Sequence, residues 1–243
     1  MDVMPAGLDA AHVFARIAHE LVAQPDVKAT AGRVVDLAKT VLACDSAAVW
    51  ELTGVDRIRL HAATDPTLAS QFRDTILEVH EGIAWECLRS HTTIRVADIR
   101  TDHRWPVYRE MVLGQDEPFL SGVGFCLDIE ERSMGALVLS SRTANFFTDD
   151  VIDVAAMFAE HAAIGIQAVT AVEKVENLEL ALASNRRIGI AVGILMAAYR
   201  LQEQGAFDLL RAASQNRHEK VRDVAEEVIL TGTLSNWPTR RPA

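Results

Sequence analysis

Cysteine is scarce in this 243-residue chain: Cys44, Cys87 and Cys126 are widely spaced and set in apolar sequence. An odd number with no CxxC pair argues against a disulfide framework or a thiolate metal site and assigns the three to buried structural positions. The pairs His19-Glu20 and His80-Glu81 lack the second histidine, three residues after the glutamate, that a zinc-binding HExxH helix needs. No GxSxG surrounds Ser121, and GVG at 122–124 lies in a strand pattern instead of opening a phosphate-binding helix. Uninterrupted apolar runs reach only about half of the roughly 20 residues a membrane-spanning helix needs. The amino terminus, MDVMPAGLDA, carries acidic residues and a proline where a secretion signal has a basic and then an apolar stretch. These absences lead to the expectation of a cytoplasmic, non-enzymatic protein with no cofactor and no metal.

Basic residues are also sparse, but unevenly so. The net charge is −10. Residues 1–183 hold 15 Lys and Arg against 28 Asp and Glu, a net −13, while residues 184–243 hold 9 against 6, a net +3. Only the C-terminal segment suits a polyanion. Its first feature is NRRIGIAVGILM (185–196), where two arginines precede a short apolar run interrupted by glycine.

With 49% hydrophobic residues, the chain has enough apolar surface for at least one sizeable core. Apolar spacing predicts two amphipathic helices, 8–24 and 27–42, divided at Gln24, Pro25 and Asp26. SAAVWEL (46–52) and RIRLHAAT (57–64) read as a hairpin with a glycine-containing turn. A helix is predicted from Pro66 to about Val79, a shorter one at 82–90, and an extended strand at 92–99. A second hairpin follows, 119–129 and 134–141, turning at EERS. This order predicts an α+β domain: an antiparallel sheet with flanking helices.

No proline occurs between Pro118 and Pro238, and from FTDDVIDVAAMF onward the pattern is helical. Thr148 is placed to cap that helix, with Asp149 and Asp150 at the positive end of its dipole. Met157, His161, Ile164, Ala168, Ala171, Val175, Leu178, Leu182 and Asn185 recur at spacings of four and three, a heptad seam. The seam's N-terminal part has its own sheet to pack on. Beyond about Val172 no adjacent sheet sequence remains to cover it, which points to a parallel dimeric coiled coil. The long helix is expected to end near Arg200, followed by helices at 202–216 and 219–232, giving an all-α three-helix bundle. The tail SNWPTRRPA reads as mobile.

EGIAWECLRSHTTIRVADIRTDHRWP (81–106), MGALVLSSRTANFFTDDVIDVAAMFAEHAA (134–163) and the order of elements together resemble a GAF domain, over about residues 8–170. RIGIAVGILM (187–196) and GAFDLLRAASQNRHEKVRDVAEEVI (205–229) resemble an ANTAR domain, with matches at Ile188, Ala191, Gly193, Leu195, Met196, Ala206, Phe207, Leu210, Arg211, Asp223, Val224 and Ala225. The division expected is a GAF-like sensor domain at 8–170, a coiled-coil linker at 171–185 and an ANTAR-like domain at 186–234. The resemblance implies a signal-responsive homodimer that binds paired hairpins in nascent RNA and prevents a terminator from forming. Ile190 and Val192 stand where that family often has polar or basic residues.

The candidate RNA-binding residues are Arg186, Arg187, Gly193, Arg211, Asn216, Lys220 and Arg222, with Arg217 nearby. Arginine suits the role because its planar donor fork grips phosphate or stacks on an unpaired base. The bland alternatives are solvated arginines, an Asn216 that only ends its helix, and Gly189, Ala191 and Gly193 that merely permit close helix packing. Trp85, Trp105 and Tyr108 are the candidate small-molecule contacts, with 82–111 as a partly mobile lid over the sheet; aromatic core packing is the competing reading. The seam residues for the dimer are Ile164, Ala168, Ala171, Val175, Leu178 and Leu182. Two other functions remain open. Cys87 and Cys126 suggest a GAF-type methionine sulfoxide reductase, without a compact cysteine constellation to support it. The chain could also be a dimeric small-molecule sensor acting on DNA or a protein partner, although Glu226 and Glu227 would repel DNA phosphates from the last helix.

Overall fold

The computed structural model describes residues 8–53, 57–129 and 132–234. The amino terminus up to residue 7, the middle of the first hairpin turn, part of the EERS turn and the tail 235–243 lie outside the described residues. The chain divides into two compact units after Val172.

The first unit opens with helices α1 (Leu8–Val22) and α2 (Val27–Leu42). Asp26 separates them by capping α2, its carboxylate accepting a 2.7 Å hydrogen bond from the Ala29 N–H. Strands β1 (Ser46–Leu52) and β2 (Ile58–Ala63) pair antiparallel. Helix α3 (Pro66–Val79) starts where Asp65 caps it and Pro66 presets its first turn. Helix α4 (Ile83–Ser90) and strand β3 (Ile94–Val96) follow, then helix α5 (Pro106–Leu113) and strands β4 (Ser121–Ile129) and β5 (Arg132–Ser141). The sheet is antiparallel throughout, in the order β2-β1-β5-β4-β3.

Strand alternation sorts side chains onto the two faces. Val49, Val123, Phe125, Leu127, Leu137 and Leu139 point to the face covered by α1, α2 and the first part of helix α6 (Asp149–Tyr199), where Phe14, Leu21, Val34, Phe158 and Ile166 complete the core. Ala48, Trp50, Ala136 and Val138 point to the other face, under α3, α4 and α5, with Ile76, Leu88, Tyr108 and Val112. Each of the larger apolar side chains is worth about 1.5–3 kcal/mol when fully buried.

Two elements differ from the sequence expectation. The strand expected at 92–99 is only three residues long, because Asp98 draws the chain into a turn: its carboxylate accepts from the Arg100 N–H at 3.0 Å and its carbonyl from the Thr101 N–H at 3.2 Å. Helix α5 was not expected at all. Pro106 starts it, and the Glu81 carboxylate accepts from the N–H groups of both Val107 and Tyr108, 26 and 27 residues downstream, at 2.9 Å. Glu81 of the His80-Glu81 pair is thus a helix cap; Glu20 of the other pair binds Arg33.

The loop leading into α5 is pinned by Arg104. Its guanidinium donates to Asp102 at 2.6 Å and to the Arg95 carbonyl at 2.7 Å, and lies 4.3 Å over the Trp105 ring. The Arg104 hydrogen bond holds the Asp102 carboxyl below its ordinary range.

Helix α6 is 51 residues long. Thr148 caps it, through a 3.5 Å hydrogen bond from the Val151 N–H and a backbone bond to Ile152. In length and composition it meets the minimum for crossing a membrane, with a window of mean hydropathy 1.3. That differs from the expectation drawn from uninterrupted runs, because isolated polar residues break the runs without lowering the window average much. Its apolar residues nonetheless enter two protein cores. Ala155, Phe158, Ala162, Ile166 and Val169 pack in the first unit; Ala191, Val192 and Leu195 pack in the second, with helices α7 (Glu203–Arg217) and α8 (Val221–Thr231). In the second unit Leu209, Leu210, Val224 and Val228 complete the bundle core.

Gly135 sits in β5 at φ +149°, and an added Cβ would lie 2.0 Å from the Trp50 carbonyl oxygen. Backbone in the neighbouring strand cannot yield to it. Gly135→Ala is expected to abolish cooperative unfolding or to lower stability by more than about 3 kcal/mol, read by thermal melting. Asp102→Asn tests the pinned loop. Because the folded Asp102 carboxyl is held low, its contribution is present above the ordinary aspartate range and is lost as pH falls through the folded value. The variant is expected to melt below wild type at neutral pH, the gap closing as pH falls below the ordinary aspartate range and the folded carboxyl takes up its proton; a pH-independent gap would show that the charge contributes nothing.

Candidate nucleic-acid interface

In the second unit the two arginines that open the motif part company. On α6 the bundle core takes Ala191, Val192 and Leu195, with Ile188 partly buried beside them. Arg187 lies on the flank of that face and forms an ion pair with Glu226 of α8. Arg186 is roughly 100° further round the helix, on the outer side, exposed and without an ion-pair partner among the described residues. A similar division runs through the other cations. Arg217 binds Glu227 at 2.5 Å, and Arg222 binds its neighbour Asp223 at 3.3 Å. Arg211 and Lys220 are exposed and have no ion pair among the described residues. Glu226 and Glu227, which the sequence presented as a barrier to phosphate on α8, are therefore engaged by arginines of the same bundle.

Asn216 is exposed but does not share a face with Arg211: five residues of helix put them roughly 140° apart around α7. Asn216 falls in the last turn, ahead of His218, whose left-handed backbone ends the helix. The turn into α8 is closed by the Ser214 hydroxyl, which donates to the Glu219 carbonyl at 2.6 Å. Lys220 is the residue just before α8.

Gly189 and Gly193 are not packing glycines within this chain, since a Cβ at either position would meet nothing within 4 Å. Among the three small residues only Ala191 is buried. Val192 points into the bundle core, so a basic side chain there would not reach a ligand without repacking. Ile190 is exposed, on the same outer side as Arg186 and Gly193.

In the first unit a cavity of about 40 Å³ lies between the sheet and α3, α4 and α5. Trp50, Phe72, Tyr108 and Phe119 line it, together with Asp65, Ser46 and Ser140. That volume holds water but not a metabolite, for which pockets of roughly 300 Å³ or more are usual. Of the three aromatics singled out from sequence only Tyr108 reaches the cavity. Trp85 stacks on His80 at 4.2 Å, and Trp105 packs edge-on to Tyr108 at 5.9 Å. Trp50 and Phe72 were missed because their positions, in a strand and an amphipathic helix, look like ordinary core positions. Gly82, at φ +107°, leaves room for the Tyr108 ring, which a Cβ there would approach to 2.7 Å. Burial pushes the Tyr108 phenol up to about 12.

Cys44 and Cys87 are buried, and Cys126 is half-buried, its Sγ 4.0 Å from His91 Nδ1. Burial pushes the Cys44 thiol up to about 11, so it stays protonated.

The seam residues of α6 are largely uncovered. Ile164, Val175, Leu178 and Leu182 are exposed, Ala171 as well, and Ala168 is half-buried. His161, counted in the seam from its spacing, is instead turned partly onto α1, where it stacks on Phe14 at 5.0 Å.

No curated protein matches this chain. Among solved structures, the GAF domain of a phosphoenolpyruvate-protein phosphotransferase from Coxiella burnetii superposes with a TM-score of 0.56 at 18% identity, over 72% of this chain and 99% of that one. The free methionine-R-sulfoxide reductase of Neisseria meningitidis, solved with its substrate, gives 0.53 at 14% identity, over 70% of this chain and 96% of that one. At such identities these likenesses establish the fold alone. The profile of the GAF domain matches residues 24–167, more than half of the chain, and that of the ANTAR domain matches residues 176–229. The chain belongs to the GAF domain family and carries a C-terminal ANTAR domain, which makes it a regulatory protein with a sensor domain and an RNA-binding antitermination module.

Proposed function

We propose that this protein is a cytoplasmic, signal-responsive antiterminator that acts as a homodimer, each ANTAR bundle holding one of two hairpins in a nascent transcript. The observation that carries this reading is the set of exposed cations left over once internal pairing is complete: Arg186, Arg211 and Lys220, with Arg222 beside them held only by an exposed pair to Asp223. An exposed pair of that kind is worth about 0–1 kcal/mol, so phosphate can compete for Arg222. Arg187 serves the bundle in this scheme, through Glu226, and Asn216 is assigned to the helix end. Gly193 lets RNA backbone approach the outer side of α6.

Dimerisation rests on the exposed seam from Ile164 to Leu182, with 171–185 as the coiled-coil connection between the domains. The cavity under α3, α4 and α5 is the ligand site of the sensor. Its small volume means that a ligand must displace the α5 region to enter, and that displacement is the signal.

The test is competition between a labelled RNA carrying two hairpins, recovered by co-purification with the full chain, and duplex DNA. RNA is expected to win at equal nucleotide concentration; displacement by DNA would move the target from RNA to DNA. Arg186→Ala is expected to weaken RNA binding and to reduce the slope of log affinity against log salt by about 0.7–0.9, the release from one phosphate contact, with no change in melting temperature. Equal binding at every salt concentration would return Arg186 to the solvated face.

A further inference from the structure

Phe207 is 38% exposed, although α7 has a complete apolar face without it: Ala206, Leu209, Leu210 and Ala213 are all buried. It makes no ring contact among the described residues. A single exposed phenylalanine is ordinary on a protein surface. This one stands four residues before Arg211, so the two side chains share a flank of α7, roughly 40° apart around the axis. Arg211 is exposed and unpaired among the described residues. The nearest carboxylate along the helix, Asp208, is occupied by Gln204, whose Nε2 donates to it at 3.1 Å. An exposed ring next to an unneutralised guanidinium is the chemistry of a base-stacking platform: the ring offers a face to a base, and the cation bonds the adjoining phosphate or extends the stack.

Resting on the RNA-binding reading above, we propose that Phe207 and Arg211 form a stacking site for one unpaired loop base of each bound hairpin. A paired base cannot be the occupant, because both its faces are already covered in the stem and the deep groove of A-form RNA excludes side chains. The division of labour follows. Arg186 and Lys220 meet phosphate and carry the salt dependence, while Phe207 supplies affinity that salt does not screen and that is lost when the loop base is missing.

The experiment uses the full chain and an RNA selected by it from a pool of two-hairpin RNAs with randomised loops. Phe207→Leu keeps an apolar side chain but removes the ring. It is expected to weaken binding about 5- to 150-fold, the worth of one stacked base, with the salt slope and melting temperature unchanged. Phe207→Trp is expected to restore binding. Arg211→Ala is expected to weaken binding and also to lower the salt slope. Scanning the selected loop with abasic sites, one position is expected to cost wild type as much as Phe207→Leu does, with no further loss when the two are combined. Wild-type affinity in Phe207→Leu, or no recovery in Phe207→Trp, would overturn the stacking site while leaving RNA binding intact. Failure of the wild-type chain to retain any RNA from the pool would instead overturn the RNA-binding reading, and the stacking site with it.

Discussion

The structure depends on one helix carrying more apolar surface than its own chain covers. In its first part α6 buries Phe158, Ala162 and Ile166 in the core beneath the sheet, and in its last part Ala191, Val192 and Leu195 inside the bundle. Between and opposite these, Leu178 and Leu182 are 54% and 68% exposed and Val175 and Ile164 are similar. Each such side chain forfeits on the order of 1.5–3 kcal/mol while it stays in water. A second copy of the same helix would bury them at heptad spacing, so in the proposed function the dimer is the active form and not an accessory to it.

The bundle at the end of α6 illustrates how few of its cations are available to a ligand. Arg187 and Arg217 are drawn onto Glu226 and Glu227, joining α6 and α7 to α8. Those pairs lie in partly exposed positions and add little to stability individually. Their larger effect is to take two arginines and two glutamates out of competition, which leaves Arg186, Arg211 and Lys220 as exposed cations without an ion pair among the described residues.

The helices and strands with strong periodicity were legible in the sequence. Pro66 marked the start of α3, the break at Gln24, Pro25 and Asp26 separated α1 from α2, and the proline-free stretch after Pro118 announced α6, while the Asp65 cap of α3 is visible only in the fold. Two elements were not legible, for different reasons: helix α5 is eight residues long and needs the distant Glu81 to cap it, whereas β3 is cut short locally, where Asp98 binds Arg100 and Thr101 in place of a strand partner. The candidate site shows the same limit. Net charge located the cationic segment, but only the fold shows that adjacent Arg186 and Arg187 face different ways, or that Phe72 and not Trp85 borders the cavity. Phe207 belongs to the ANTAR-like motif, yet its exposure beside Arg211 emerges only once α7 has taken its core face.

Whether two chains hold one RNA together is decided by titrating the 243-residue chain with two-hairpin RNA and with the corresponding single hairpins, measuring stoichiometry and affinity on the same samples. One RNA is expected per two chains, with a preference for the paired hairpins of about two to four orders of magnitude. In a Leu178→Asp, Leu182→Asp variant the protein is expected to dissociate and that preference to collapse. A wild-type monomer at micromolar concentration, or one chain bound per RNA with no preference for paired hairpins, would contradict this assembly.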